Sequence, residues 1–308
     1  MIREVAIFIT RECNLECQFC QVRKIRRTRT LNVDQWHEVF KKVKELNPEL
    51  VVVYGGEPLL RQDILEILDR LHEVKLPYTL ISNSTLLDEN LAKRLVNHGL
   101  NSFTASIDYP QGMDDLRSKQ SWRALNLMKD LGVEDVTGNM IIYRKNYKYI
   151  PSLIDALDKL DIWSILGLCQ FPRDENDNVF SYRCWDSENV FKDEDIKGLK
   201  DIAGRVMSMG KEGFLIHNIP QYIKLIPYYA KPDNRFKWHC SRPCYLTIDE
   251  DGTLMACPDF RGTVERFDIL NFDLVGYENI WRSDVSQCPG CFFSHQFQAE
   301  LGGIIKHG

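Results

Sequence analysis

Apolar, strand-like runs alternate with stretches of helical period along the first half of the chain. The first run covers residues 5–10 (VAIFIT), and helix-period residues follow over 33–46. Residues 50–54 (LVVVY) form a continuous apolar run, suited to a parallel strand covered on both faces. The alternation then predicts a helix over 63–74, a strand over 78–82, a helix over 88–97 and a strand over 102–107. A helix over 121–131, a strand over 136–143, a helix over 150–160 and a strand over 162–168 complete it. Such β-α alternation with short connections predicts right-handed crossovers and a parallel sheet. The pattern itself fits an open doubly wound sheet and a curved partial barrel equally.

The regularity stops near Cys169. Residues 170–190 are polar and aromatic with no period, and a helical stretch follows over 192–209. Residues 245–248 and 253–256 predict a hairpin around Asp249-Glu250-Asp251-Gly252, since Asp-Gly is a strong hairpin signal. A soft boundary near residue 215 divides the chain into regions 1–215 and 216–308.

Composition narrows the class. The chain has 308 residues, 44% hydrophobic and 27% charged, which is ordinary globular usage. A chain this long buries a large core without needing a disulfide or metal to fold. Lys and Arg total 39 against 44 Asp and Glu, a formal charge of −5 that argues against bulk coating of nucleic acid. No apolar run reaches the ~18 residues of a membrane-crossing helix. The start, MIREVAIFITRECN, lacks a basic-then-apolar leader and reads as a strand rather than a signal peptide. Ten cysteines without an export signal then point to thiols kept reduced in the cytoplasm.

Those cysteines are grouped. Cys13, Cys17 and Cys20 have the spacing CxxxCxxC just after the first predicted strand. In parallel α/β folds, ligands bind at that end of the strands. Three thiolates facing one centre leave one iron of a [4Fe–4S] cluster without a protein ligand, and an open position marks chemistry rather than scaffolding. A structural zinc with a distant fourth ligand is the alternative. Tyr54-Gly55-Gly56-Glu57-Pro58 ends the second strand. Its glycines let a ligand approach the backbone, and Glu57 offers a charge for an ammonium group.

These motifs, with Ser82-Asn83 after the third strand and Ser106-Ile107-Asp108 after the fourth, resemble the radical S-adenosylmethionine (SAM) superfamily over roughly residues 1–170. The resemblance implies a partial (β/α)6 TIM-like barrel and a [4Fe–4S] cluster held by Cys13, Cys17 and Cys20. Its free iron would bind the amino and carboxylate groups of SAM. Reductive cleavage would give methionine and a 5′-deoxyadenosyl radical that abstracts a hydrogen atom from substrate. An electron donor such as flavodoxin or ferredoxin is implied as a partner. By the same resemblance, Phe19 lies near the adenine, and Gly55, Gly56 and Glu57 hold the methionine amino group. Ser82 and Asn83 line the SAM site, although Asn83-Ser84 stands where the family often has Asn-Gly. Ser106 and Arg117 match a pair that holds the SAM carboxylate, as a guanidinium suits a carboxylate. Asn139 matches a further site-facing position. Asp108 either reaches the ribose or caps a turn.

The C-terminal cysteines Cys240, Cys257, Cys288 and Cys291 resemble the auxiliary-cluster region of the SPASM/Twitch subgroup. With no cysteine after Cys291, the shorter Twitch form is implied, an α+β extension with one auxiliary [4Fe–4S] cluster. The spacing to Gly252 favours Cys240 over Cys244 as its first ligand, and full ligation suggests electron transfer. Zinc remains the alternative there too.

Weaker signals have plain readings. The basic run Lys24-Ile25-Arg26-Arg27-Thr28-Arg29 is a solvated loop or a contact for phosphate, peptide or RNA. Cys169 is a buried thiol or a hydrogen-atom donor at the barrel mouth, and Cys184 has no assignment. Tyr143 and Arg144 are substrate contacts or surface, and His239 is not a cluster ligand. The pair Gly302-Gly303 is similar to the diglycine tail of the molybdopterin-pathway GTP cyclases, whose auxiliary cysteines are spaced differently. The expected function is hydrogen abstraction from a small molecule or peptide. A nucleotide or RNA substrate is the alternative within that class. A non-enzymatic zinc or iron–sulfur module is the alternative outside it.

Overall fold

The computed structural model describes residues 2–25, 29–172, 181–260, 267–271 and 276–302. Six strands, β1 (Glu4–Thr10), β2 (Leu50–Gly55), β3 (Tyr78–Ser82), β4 (Ser102–Ser106), β5 (Asp135–Ile142) and β6 (Trp163–Leu168), lie side by side in sequence order. Every neighbouring pair is parallel. A doubly wound sheet would reverse its order at a switch point. This one does not, so the helices between strands follow a single winding direction, as in a barrel.

Those helices are α1 (Val33–Glu45), α2 (Ile64–Val74), α3 (Glu89–Asn97), α4 (Leu116–Asp130) and α5 (Ile150–Asp158). Their starts are written in side chains. Asn32 and Gln35 form a reciprocal capping box on α1, and Asp88 caps α3 through the Leu91 N–H. α4 starts five residues before its apolar period suggests, because Asp115 accepts the Ser118 N–H at 2.7 Å and nucleates an extra turn. Alternate strand residues, among them Val5, Ile7, Val51, Val53 and Phe103, pack on the helices around Trp36 and Leu68. Phe8, Tyr54 and Thr104 occupy the opposite face, as a two-residue period requires.

The chain then leaves the sheet through α6 (Asp193–Glu212) and α7 (Pro220–Tyr229) and returns to it. Strand β7 (Tyr245–Ile248) pairs parallel to β1, on the side opposite β2, and β8 (Leu254–Met255) pairs antiparallel to β7. Both sides of the boundary near residue 215 therefore share one sheet, ordered β6-β5-β4-β3-β2-β1-β7-β8 among the described residues. α8 (Tyr277–Gln287) and α9 (Ser294–Glu300) close the described chain. Sequence periodicity missed α7, α8 and α9. Pro227 interrupts the pattern inside α7, and α9 is only seven residues long.

One buried ion pair ties the returning hairpin to the first strand. The Arg11 guanidinium donates from Nε and Nη2 to the two carboxylate oxygens of Asp249, at 2.7 and 2.9 Å. Its backbone N–H donates to Glu250 at 2.7 Å. The two side chains are 2% and 0% exposed. Removing one partner strands the other charge in the interior, which typically costs about 3–5 kcal/mol. Asp249→Ala should therefore lower the urea midpoint markedly, while the double variant Arg11→Met/Asp249→Leu recovers most of the loss; equal midpoints for Asp249→Ala and wild type would refute a structural role for the pair.

Candidate functional site

A cavity opens at the C-terminal ends of the strands, where residues of β2 to β6 meet the loop after β1, and it reaches down to Tyr245 at the start of β7. Cys13, Cys17, Phe19 and Cys20 line it from the loop after β1. Gly55 and Gly56 line it from β2, Ser82 and Asn83 from β3, Ser106 from β4, Arg117 from α4 and Asn139 from β5. Of the residues expected around SAM, Glu57 alone is missing from this wall.

The cysteine loop takes its position from the backbone of β1 and β2. Their register shifts between Phe8 and Thr10, and such irregularities re-aim a strand end. The Gly56 N–H then donates to the Thr10 carbonyl at 2.8 Å, and the Glu57 N–H to the Glu12 carbonyl at 2.7 Å. A Cβ on Gly55 would overlap the Thr10 carbonyl oxygen, and one on Gly56 the Glu12 carbonyl oxygen. The glycines are thus required by the chain's own backbone as well as by any ligand.

Glu57 departs from its expected role. It is fully buried, and its carboxylate accepts from Ser82 Oγ at 2.8 Å, the Asn83 N–H at 2.7 Å and the Leu59 N–H at 3.0 Å. Burial raises its pKa, opposed by those bonds. The carboxylate organises the turn after β3 and does not line the cavity. The same turn shows where Asn-Ser departs from Asn-Gly. Ser84 sits at φ 64°, the left-handed region that glycine enters without cost. Asn83 in turn donates through Nδ2 to Asn14 Oδ1 at 2.9 Å and lies 3.8 Å from Cys13 Sγ.

Arg117 reaches in from the first turn of α4. Its guanidinium lies over the Phe19 ring at 5.1 Å and places Nη1 3.6 Å from Cys17 Sγ. Asp108 pairs with it and is 4% exposed. Asp108 is therefore an anchor for this arginine, and any carboxylate bound here shares the guanidinium with it. Burial raises the Cys13 thiol and pushes Cys20 up to about 12. All three are free thiols. Among the described residues no three Cys, His, Asp or Glu side chains meet at the point one metal ion would occupy. The three thiols instead share a cavity with room beside it.

The second thiol group lies apart from this wall. Cys240, Cys257, Cys288 and Cys291 feel one another's charge, and burial raises Cys240, Cys257 and Cys291. None of the four lines the cavity. Gly290 seats the Cys-Pro-Gly-Cys turn, at φ 93° and with its Cβ position 2.6 Å from the Phe236 carbonyl and 2.7 Å from that of Trp238. The Cys291 N–H donates to the Trp238 carbonyl at 3.0 Å. Cys244 stands elsewhere. Its charged neighbours are Arg242, Glu300 and Arg3, and its carbonyl accepts the Arg3 N–H at 2.9 Å beside β1.

Other candidates fall into place. Cys169 does line the cavity, and it packs with Cys184, Tyr143 and Phe171 in a small buried cluster. Burial raises Cys169, while its hydrogen bond to Cys184 lowers the latter to about 7. Tyr143 donates to the Tyr109 hydroxyl at 3.1 Å, and Arg144 pairs with Asp195 at 2.7 Å on α6, a surface contact. His239 is exposed. Residues 26–28 of the basic run and Gly303 lie outside the described residues. Sequence reasoning missed Tyr182, Tyr245, Phe293 and His295, which complete the cavity wall. Only the pairing of β7 with β1 carries Tyr245 there, and no local signal announces it.

Residues 7–157 match the radical SAM superfamily. A probable GTP 3′,8-cyclase of Methanocaldococcus jannaschii is 25% identical over 266 residues, 83% of this chain and 85% of that protein. The similarity to GTP cyclases, discounted above on cysteine spacing, thus spans most of the chain. A PqqA peptide cyclase of Granulibacter bethesdensis is 27% identical over 157 residues, 48% of this chain and 42% of that protein. The fold also resembles Streptococcus suis SuiB bound to S-adenosylmethionine, with a TM-score of 0.66 at 16% identity. That match covers 90% of this chain and 65% of SuiB, so the chain spans just under two thirds of that structure.

Gly56→Ala is expected to displace the cysteine loop, because the added methyl meets the Glu12 carbonyl. Equilibrium dialysis with SAM after anaerobic iron and sulfide loading should show binding reduced at least about tenfold. Undiminished binding and iron content would contradict this account of the loop.

Proposed function

The chain belongs to the radical SAM superfamily, and on that premise we propose that it abstracts a hydrogen atom from a weakly charged substrate, a peptide segment or a small molecule, and passes one electron to a second iron–sulfur centre held by its C-terminal cysteines. The observation that carries this reading is the shared wall of the cavity. The three-cysteine loop and the strand-end residues face Tyr182, Tyr245 and Phe293 across one space.

Cys13, Cys17 and Cys20 would hold the SAM-binding cluster. Three free thiols lining a cavity, with a guanidinium beside Cys17, suit a cluster that keeps one open iron. When bound, cluster and SAM supply the 5′-deoxyadenosyl radical that removes the hydrogen atom. The chain's own residues supply the rest. Gly55 and Gly56 offer backbone polar groups to the methionine end of SAM. Ser106 and Arg117 face its carboxylate, with Asp108 holding the guanidinium in place. Asn83 fixes the cysteine loop through Asn14. Tyr182, Tyr245 and Phe293 exclude water from the reacting atoms.

Cys240, Cys257, Cys288 and Cys291 supply four thiols and lie off the cavity wall. Four ligands leave no open iron for substrate, which suits electron transfer. The substrate radical would then lose one electron to this centre and one proton to solvent, so that the substrate leaves oxidised by two electrons.

The cavity also informs the substrate class. Arg117 is the single Lys or Arg on its wall among the described residues, and it is already paired. A triphosphate needs several such donors. A peptide side chain or neutral metabolite suits the aromatic wall, and the PqqA peptide cyclase relative is consistent with a peptide. The nucleotide reading rests on the longer match to GTP 3′,8-cyclases.

Anaerobic reconstitution should load about eight irons per chain, the sum of two four-iron clusters, and dithionite with SAM should yield 5′-deoxyadenosine. The triple variant Cys13→Ala/Cys17→Ala/Cys20→Ala should keep about four irons and lose that product. Wild type holding about four irons would remove the second centre, and absence of 5′-deoxyadenosine would sink the reaction itself.

Adding GTP should leave 5′-deoxyadenosine at its substrate-free level. Deuterium transfer from labelled GTP into 5′-deoxyadenosine would replace the peptide or small-molecule substrate with a nucleotide.

A further inference from the structure

We infer that the surface formed by residues 224–242 docks an acidic one-electron carrier protein that draws electrons from the C-terminal thiol centre. The inference rests on the reading that Cys240, Cys257, Cys288 and Cys291 hold an iron–sulfur cluster.

Two independent observations meet on this surface. The first is charge. Lys224, Lys231, Arg235, Lys237 and Arg242 fall within one stretch in which Asp233 is the only acid, although the chain as a whole carries −5. Lys224, Lys237 and Arg242 are exposed, Lys231 and Arg235 are half-buried, Tyr228 of the same stretch is 46% exposed, and Arg242 donates to the Glu300 carbonyl. The nearby Glu300 carboxylate is engaged by the Ser241 N–H at 2.9 Å, Ser241 Oγ at 2.6 Å and Gln296 Nε2 at 2.9 Å.

The second is position. The same stretch contains Cys240 and covers the Cys-Pro-Gly-Cys turn, with the Trp238 carbonyl accepting the Cys291 N–H at 3.0 Å. The five cations are absent from the wall of the substrate cavity. A basic surface laid over a thiol centre and away from the substrate suits a redox partner better than a substrate peptide. Electron-transfer encounters use small interfaces and rely on charge to speed and orient collision.

The electrons balance. Each turnover takes in one electron to cleave SAM and releases one from the substrate radical. The released electron reaches the C-terminal centre and passes to the oxidised carrier, which is reduced by one electron. No bond forms or breaks between the two proteins, and the thiol centre returns to its resting charge.

The test uses the full chain bearing Cys13→Ala/Cys17→Ala/Cys20→Ala, so that the C-terminal cluster is the only redox centre. The probe is an oxidised flavodoxin of strongly acidic composition. Stopped-flow absorbance follows electron transfer from the dithionite-reduced protein, and isothermal titration calorimetry follows binding. Adding Lys224→Glu, Lys231→Glu and Lys237→Glu should slow transfer and weaken binding at least about tenfold and flatten the dependence on salt. In the otherwise wild-type holoenzyme the same three reversals should leave dithionite-driven 5′-deoxyadenosine formation unchanged. Neutral Gln replacements should fall between the two. Transfer at an unchanged rate overturns the docking surface. So does an unchanged carrier affinity combined with lost affinity for a poly-glutamate peptide, which would make the surface a peptide site. Absence of iron from the starting variant would reject the underlying reading instead, and is seen before any carrier is added.

Discussion

Strand β1 is hydrogen-bonded on both sides, to β2 and to β7, and the rest of the molecule depends on that double pairing. Glu4 faces Leu50 on one side and Tyr245 on the other, so segments nearly two hundred residues apart in sequence become neighbours of one strand. The loop bearing Cys13, Cys17 and Cys20 leaves β1 between the diglycine turn and the β7–β8 hairpin. Backbone hydrogen bonds hold it on the first side, and the Arg11–Asp249 pair holds it on the second. The pair is buried and joined by two parallel hydrogen bonds, the geometry in which an interior ion pair is best tolerated.

The two thiol groups differ in a way that follows from this arrangement. The first opens onto the cavity, and the second is packed behind it against the Phe236–Trp238 backbone. The Arg183–Asp259 pair is buried near the second group, and both of its charges act on Cys291 and on Cys169. Under the proposed function that difference would divide the labour, with bond making and breaking at the first group and the movement of electrons at the second.

A scaffold does not fix an activity; function resides in the site built on it. In this chain the wall opposite the three-cysteine loop is aromatic and poor in cations.

Much of this could be read from the chain alone. The β-α alternation, the cysteine spacing and the diglycine turn are local patterns, because periodicity and turn chemistry depend on neighbours a few residues apart. The observed strands match the expected ones within one or two residues. What local pattern could not decide was decided by contacts between distant residues. The single winding of the sheet, the return of β7 to β1 and the arrival of Tyr245 in the cavity are of this kind. So is the use of Glu57, which offered a free charge in sequence and which the fold spends on the turn after β3. Arg117 finds Asp108, and Cys240 rather than Cys244 joins the other three thiols, for the same reason. A side chain's chemistry is set by its sequence, but its partners are set by the chain's path through space.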